Sequence, residues 1–314
     1  MTTPWLKRAG RRFGTVAGLI GLCLLLWALT PYFLTIANAL NVMEQTAINA
    51  IVAVGMTYVI IAGGIDLSVG SLVAFSGVTL AAALKAGWPA AGAIAVALTV
   101  GALSGFVNGA VISFGRLPPF IMTLGMMSVA RGAALLFTDG RPISGFDAGF
   151  RSIATGRVLG VPAPIVLTLV IYGVAHFGLS RTRFGRYVYG IGGNEEATRL
   201  SGVAVRFHKT MVYVVSGVAS AVAAVLLTAR LNTAQPIAGI MYELDAIAAT
   251  VIGGTSLMGG EGGLGGTIIG ALIMGVLRNG LNLLGVSSFV QQIVIGLVIV
   301  FAVLIDTALK SRRT

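Results

Sequence analysis

Charge is the first thing this sequence lacks. Only 10% of its 314 residues are Asp, Glu, Lys or Arg, whereas an average soluble domain carries roughly 25%. A fold that meets water on every side cannot be covered with so few charges, so a free-standing soluble domain is excluded. Cysteine is reduced to Cys23, inside an apolar run. That leaves no disulfide framework and no thiolate metal site, and a buried small hydrophobe is the plainer role. Histidine occurs only at His176 and His208, without Cys or carboxylate companions at ligand spacing, which argues against zinc. There is no GxxxxGK[ST], and the Gly-rich runs at 63–70 and 253–266 contain no lysine, so a loop that cradles nucleotide phosphates is missing. No paired carboxylates or nucleophile–base arrangement stands out, which makes a membrane-embedded enzyme the weakest class.

What is present is apolar: 56% of the residues are hydrophobic and the mean hydropathy is +0.95. The 44 glycines lie among Val, Leu, Ile and Ala, where small residues let membrane helices approach closely. The pattern predicts an all-α polytopic membrane protein, one permease-like domain over 1–314, with about ten spans. These are Phe13–Ile36, Ala47–Ala62, Ser71–Leu84, Ala90–Ser113, Pro119–Phe137 and Val161–Ser180 in a first half (13–180). Thr210–Ala229, Leu244–Leu257, Leu264–Leu284 and Ser288–Leu309 follow in a second half (210–309). Several fall short of the ~20 residues a full crossing needs. A basic start followed by Ala37-Asn38-Ala39 imitates a cleavable signal peptide, but the apolar run exceeds the usual h-region and further spans follow; an uncleaved first helix is expected.

The net charge of +11 does not describe a nucleic-acid surface. Lys7, Arg8, Arg11 and Arg12 precede the first span, Arg181, Arg183, Arg186, Arg199, Arg206 and Lys209 share a central loop (181–209), and Lys310, Arg312 and Arg313 close the chain. These thirteen of the 21 basic residues mark the tails (1–12 and 310–314) and the central loop as cytoplasmic. Six crossings then precede the loop and four follow it.

Two breaks interrupt the apolar pattern. Gly63-Gly64-Ile65-Asp66-Leu67-Ser68-Val69-Gly70 and Gly253-Gly254-Thr255-Ser256-Leu257-Met258-Gly259-Gly260 share GG-x-x-L-x-x-G at an offset of 190 residues. Matching interruptions in two halves point to a transporter built from repeats, and such breaks sit at membrane depth only under cover of protein or a water-filled cavity. Asp66 has two readings, a pathway or gating residue, or, with Ser68, a cap for the helix that begins near Val69. Glu243 and Asp245 fall in the first turn of a predicted segment, where they suit the helix dipole. Arg131 and Arg278 would snorkel or pair with an acid.

In the central loop, Asn194 is a good N-cap, Glu195 and Glu196 follow in the first turn, Arg199 sits near the other end and Gly202 suits a left-handed stop. A short capped helix is expected there, either lying on the membrane or acting as a lever against a cytoplasmic partner. The polar connection 138–160, with Asp139, Arg141, Asp147, Arg151 and Arg157, reads as a solvated outer loop or as a docking surface.

Four stretches carry a resemblance: GGIDLSVGSLVAFSG (63–77), RTRFGRYVYGIGGNEEATRLSGV (181–203), YELDAIAATVIGGTSLMGG (242–260) and GLNLLGVSSFVQQIVIGLVIVFAVLID (280–306). Over roughly 40–306 the chain resembles the membrane permease of bacterial ABC importers for monosaccharides, most of all the ribose type. The resemblance implies an inner-membrane subunit that forms the sugar path, fed by a periplasmic binding protein. It also implies a separate ATPase that holds the ATP and magnesium, this chain having no cofactor of its own, and a second permease copy or homologue. Asn194, Glu195, Glu196, Ala197, Thr198, Arg199 and Gly202 would then form the ATPase-coupling loop, although the match to the family's loop pattern is loose there. A neutral sugar needs hydroxyl partners, so Asp66 and Ser68 are joined as path candidates by Asn49, Thr57, Asn108, Thr123, Asn279, Asn282, Gln291 and Gln292. Each of these amides and hydroxyls also suits a helix–helix hydrogen bond. The competing class is an ion- or proton-coupled secondary transporter, which needs titratable groups along its path, where Asp66 is almost alone.

Overall fold

Helices account for most of the chain. The computed structural model describes the backbone of residues 4–311 and the side chains of 14–301, 303 and 304. In chain order the helices are α1 (Pro4–Leu29), α2 (Ile36–Ile61), α3 (Val69–Lys85), α4 (Ala90–Gly115), α5 (Pro119–Thr138) and α6 (Ala148–Thr155). Then come α7 (Ala163–Arg181), α8 (Arg183–Gly193), α9 (Glu195–Leu200), α10 (Val205–Leu231), α11 (Tyr242–Ile252), α12 (Leu264–Leu283) and α13 (Ser288–Ser311). Strand pairing among the described residues is limited to two-residue ladders. β1 (Ile143–Ser144) is antiparallel to β4 (Thr233–Ala234), and β2 (Arg157–Val158) to β3 (Val161–Pro162). By length and composition α2, α4, α5, α7, α10 and α12 are able to cross a membrane.

Three predicted boundaries are corrected. The first predicted span does not reach Ile36: α1 stops at Leu29, and Thr35 starts a new helix by accepting the Asn38 N–H at 3.2 Å. α2 therefore begins eleven residues before the predicted Ala47, because Asn38, Asn41, Glu44 and Gln45 dilute its first turns without breaking them. α11 covers only eleven residues and ends at Ile252 rather than Leu257, stopped by left-handed Gly254 (φ +90°). The central loop holds two helices, α8 and α9, where one was expected.

α2 is buried on all sides from Thr46 to Ile61 apart from Asn49, as its unbroken apolar sequence requires. α10 packs antiparallel to it and also along α4. On α4, Gly101, Gly105 and Gly109 recur every fourth residue. A Cβ on Gly101 or Gly105 would enter the backbone of Gly217 or Tyr213, and one on Gly109 would lie 2.5 Å from Thr210 Cα. Absent side chains thus let the two backbones touch. The outward faces of α4, α5 and α7 stay apolar, with Leu103, Phe106, Val129, Leu136, Val174 and Phe177 exposed.

Successive contacts sort the connections into two poles. At one, the Gly260 N–H donates to Ile61 O (2.9 Å) and Tyr189 Oη to Gly262 O (2.9 Å), which brings 61–64, α8, α9 and 253–263 together. At the other, Lys85 Nζ donates to Gly145 O (2.7 Å), the Gly145 N–H to Asn232 O (3.1 Å), and Asn38 exchanges hydrogen bonds with Asn279 at 2.9–3.0 Å. The 139–162 connection at this second pole is a packed unit rather than a plain solvated loop. Asp147 caps α6 by accepting the Phe150 N–H at 2.7 Å, and the Phe150 ring is fully buried.

Candidate functional site

The α9 pole carries a short helix with no buried residue. Asn194 serves two helices: its N–H closes α8 on Gly190 O (2.9 Å), and its side chain opens α9 by accepting the Ala197 N–H (2.9 Å). Left-handed Gly202 (φ +80°) follows, and its N–H donates to Arg199 O at 3.0 Å. Both ends therefore close as the sequence predicts. The six-residue helix is held at both ends and rests on α8 through half-buried Thr198 beside Gly190. Lys209 Nζ on α10 pairs with Glu195 Oε2 at 2.9 Å. Arg199 forks onto Glu196, and its hydrogen bonds hold the Glu196 carboxyl below the usual carboxylate range. Between α9, the start of α10 and the 116–119 turn lies a groove of about 580 Å³ bearing Arg116, Arg206 and the α9 charges. It suits a partner surface with both signs of charge.

Behind α9, glycine contacts join α8 to both predicted breaks. A Cβ on Gly192 would strike Ile61 O at the end of α2 and come within 2.6 Å of the Gly260 nitrogen. Gly259 would meet Gly192 O at 2.8 Å and Gly63 Cα at 3.1 Å. Of the seven predicted break glycines, Gly63, Gly254, Gly259 and Gly260 adopt positive φ, the region that favours glycine. Gly64, Gly70 and Gly253 instead permit close approach, to Tyr213 Oη, to Gly239 and to Gly266. The two helix ends close alike, Gly63 and Gly64 donating to Ile60 O and Val59 O, Gly254 and Thr255 to Val251 O and Thr250 O.

Asp66 is fully buried, and neither it nor Ser68 caps α3 in the predicted way. Ser68 occupies the cap position without a side-chain cap bond, because its hydroxyl donates to Asp66 Oδ1 at 2.6 Å. The same oxygen accepts the Ser68 N–H at 3.0 Å, a local turn of the Asx type. Ser216 Oγ on α10 donates to Asp66 Oδ2 at 2.8 Å, Asn108 Nδ2 to Ser68 Oγ at 2.9 Å, and Thr123 Oγ1 to Ile65 O at 3.2 Å. The structure therefore gathers Asp66, Ser68, Asn108 and Thr123 into one buried cluster that ties the break to α4, α5 and α10.

A second cluster forms around Asp245. It is 3% exposed and takes Arg278 Nη2 at 3.1 and 2.8 Å together with Asn49 Nδ2 at 3.0 Å. The expected pairing of Arg278 with an acid is met, and for Asp245 a specific partner joins the helix dipole. Arg131 has the Glu243 carboxylate within electrostatic reach, but its hydrogen bonds go from Nη1 to the carbonyls of Pro236 and Ala238 at 2.7 and 2.8 Å. The remaining candidates stand apart: Thr57 against Thr267 (2.8 Å), Asn279 against Asn38, Asn282 against Gln291 (2.8 Å), and Gln292 exposed. Sequence reasoning missed α8 with Tyr189 and Gly192, and the Arg131 clamp. The signal for α8 was there, since Thr182 three residues before Gly185 accepts its N–H at 3.3 Å as an N-cap.

Comparison with known proteins follows the same outline. Residues 38–303 match the family described as branched-chain amino acid transport system / permease component. The chain is 49% identical over 289 residues to the ribose import permease protein of Haemophilus influenzae, covering 91% of this chain and 90% of that one. It is 48% identical over 319 residues to the ribose import permease protein of Escherichia coli K12 (98% and 99% covered). Against the ribose import permease protein of Bacillus subtilis it is 47% identical over 298 residues (94% and 92%). No solved structure matches.

Proposed function

The chain belongs to the branched-chain amino acid transport system / permease component family, and from that premise we propose that it is the membrane subunit through which an ATP-driven importer passes ribose. One observation carries the reading: near end-to-end similarity, at 47–49% identity, to ribose import permeases. The importer would take sugar from a periplasmic binding protein, and its ATP and magnesium would sit on a separate ATPase. Other monosaccharides are the alternative substrates.

The α9 pole is cytoplasmic in this reading, and both tails with it, because Arg181, Arg183, Arg186, Arg206 and Lys209 gather there. The pole of the 139–162 connection then faces the periplasm and offers the docking surface. Ten crossings follow, α1 to α5 and α7, then α10 to α13, with α11 the shortest. Two permease copies, or one and a homologue, would complete the path.

Coupling runs through rigid contacts. The ATPase would grip α9, with Glu195, Glu196, Arg199 and the groove beside them as the contact. A push on α9 reaches α8 through the shared Asn194, and α8 reaches α2 and the 253–263 segment through Gly192. Both breaks would move together because Gly192 of α8 lies against the 61–63 end of the first and against Gly259 and Gly260 of the second.

The test is reconstitution in liposomes with the genomically adjacent ATPase, with and without the adjacent binding protein loaded with ribose or another sugar. ATP hydrolysis stimulated by ribose-loaded binding protein, together with ribose uptake, is the expected result. Failure to associate with any ATPase, with uptake following a proton or sodium gradient, would overturn the reading in favour of a secondary transporter.

A further inference from the structure

The crossing that follows α10 is helical only in part. α10 ends at Leu231, at the pole where Asn232 O accepts the Gly145 N–H, and α11 starts only at Tyr242. Between them β4 pairs with β1, and residues 235–241 form no helix or strand. Gly239 lies against Gly70, where a Cβ on either would enter the backbone of the other. Gly70 stands well down α3 from Lys85, which bonds Gly145 at that same pole. The separation is about 22 Å along the helix axis, well inside a hydrocarbon layer about 30 Å thick. Residues 235–241 are therefore irregular backbone at membrane depth.

One side of this segment is covered. Pro236 and Gly239 are buried, and Arg131 Nη1 donates to the carbonyls of Pro236 and Ala238. The other side is bare: Gln235 is exposed, Ile237 is 55% exposed and Ile240 59%. Among the described residues nothing accepts the N–H groups of Ile237 and Ile240, and the Gln235 side chain makes no hydrogen bond. Acyl chains offer no acceptor, so lipid cannot be what meets these groups. A second copy is no better suited, since its helices spend their carbonyls on their own N–H groups and the outward faces of α4, α5 and α7 are apolar. Water and a polyol both supply oxygens. Arg131 faces the Glu243 carboxylate from behind, so those two charges answer one another and a neutral solute suits the segment.

We propose that residues 235–241 form a wall of the sugar path. The Gln235 amide and the N–H groups of Ile237 and Ile240 donate to hydroxyl oxygens of the passing sugar, and the two isoleucine side chains meet its C–H faces. The proposal rests on the importer reading and adds to it the surface of the subunit along which the sugar moves.

The experiment uses the full transporter, permease with ATPase and ribose-loaded binding protein, in liposomes on a Cys23→Ser background. Ile237→Cys and Ile240→Cys are compared with Val129→Cys, which is exposed on α5 but, two residues from Arg131, on the opposite side of that helix. A positively charged methanethiosulfonate reports where water reaches, because the reactive thiolate forms poorly in apolar surroundings. During ATP-driven uptake both isoleucine positions should react at least about tenfold faster than Val129→Cys. The charged adduct should then stop ribose uptake while the ATPase stays bound. Gln235→Leu, which removes one neutral hydrogen-bonding group from an exposed position, should lower uptake about fivefold at an unchanged melting temperature. Reaction no faster than at Val129→Cys, in a complex that imports ribose, would set the segment against lipid or a second copy and overturn the proposal with the importer reading intact. Full uptake after complete modification at both positions would overturn it as well. Absence of ATP-driven import by the unsubstituted complex would instead remove the importer reading itself.

Discussion

Two buried carboxylates behave differently because their neighbours differ. Asp66 is held by hydroxyls and one backbone N–H, while Asp245 faces a guanidinium. Removing one partner of a buried ion pair leaves an uncompensated charge, at a cost near 3 kcal/mol. Arg278→Met should therefore lower stability by about 3 kcal/mol in denaturant unfolding of the detergent-solubilised protein. Adding Asp245→Asn should recover most of that loss, since no charge is then stranded; equal losses in the single and double variants would show the two residues to be uncoupled. At the α9 surface the charges are exposed and their pairing adds little to stability. Replacing Glu195 and Glu196 with Arg should leave the melting temperature unchanged and abolish ATP-driven uptake. Normal uptake in that variant would remove α9 as the coupling contact.

Between helices, missing side chains do as much as present ones. The α4–α10 seam depends on Gly101, Gly105 and Gly109, where backbone meets backbone. Gly105→Leu should force the helices apart and destabilise the protein by about 3 kcal/mol or more. Gly125→Ala on α5, where a Cβ meets nothing within 4 Å, should be neutral or slightly stabilising, by about 0.5–1 kcal/mol. Thermal unfolding of the two variants side by side checks both. Gly192 is of a third kind, because it links α8 to α2 and to Gly260. Gly192→Ala should push α8 off Ile61 O and lower the melting temperature. In the folded complex it should keep ATPase binding but reduce the stimulation of hydrolysis by loaded binding protein about tenfold, a coupling loss near 1.4 kcal/mol. Full stimulation in that variant would mean that the push travels by another route.

At the scale of the molecule, helix direction alternates between the poles and one pole carries the basic central segment. Cysteine at Leu200, exposed on α9, should be modified only from the cytoplasm, and cysteine at Ser152, exposed on α6, only from the outside. Impermeant thiol reagents applied to spheroplasts and to inverted vesicles, on a Cys23→Ser background, read this directly. Modification of both positions from one side would refute the assigned orientation. The two breaks belong to this scale as well. They lie 190 residues apart in sequence but meet at one α8 glycine, Gly192, which makes a concerted rather than a sequential response the expected one.

Much of this was written in the chain itself. Apolar runs and scarce charge dictate a helical membrane protein, because the bilayer admits only structures that satisfy their backbone internally. The Asn194 cap and the Gly202 stop were legible because capping is local: each depends on residues within one turn. The distances that matter most are not local. Nothing in the sequence around Asn49, Arg230, Asp245 or Arg278 says that they line one cavity, since they reach it from four helices, α2, α10, α11 and α12. Nor does it say that Ser216 of α10 joins Ser68 in satisfying Asp66, or that Arg131 closes on two carbonyls as well as facing Glu243. Local propensity sets where helices begin and end; which faces meet is decided by the packing of the whole bundle, where glycine seams and buried hydrogen bonds choose among many helix pairings that the apolar pattern alone would allow.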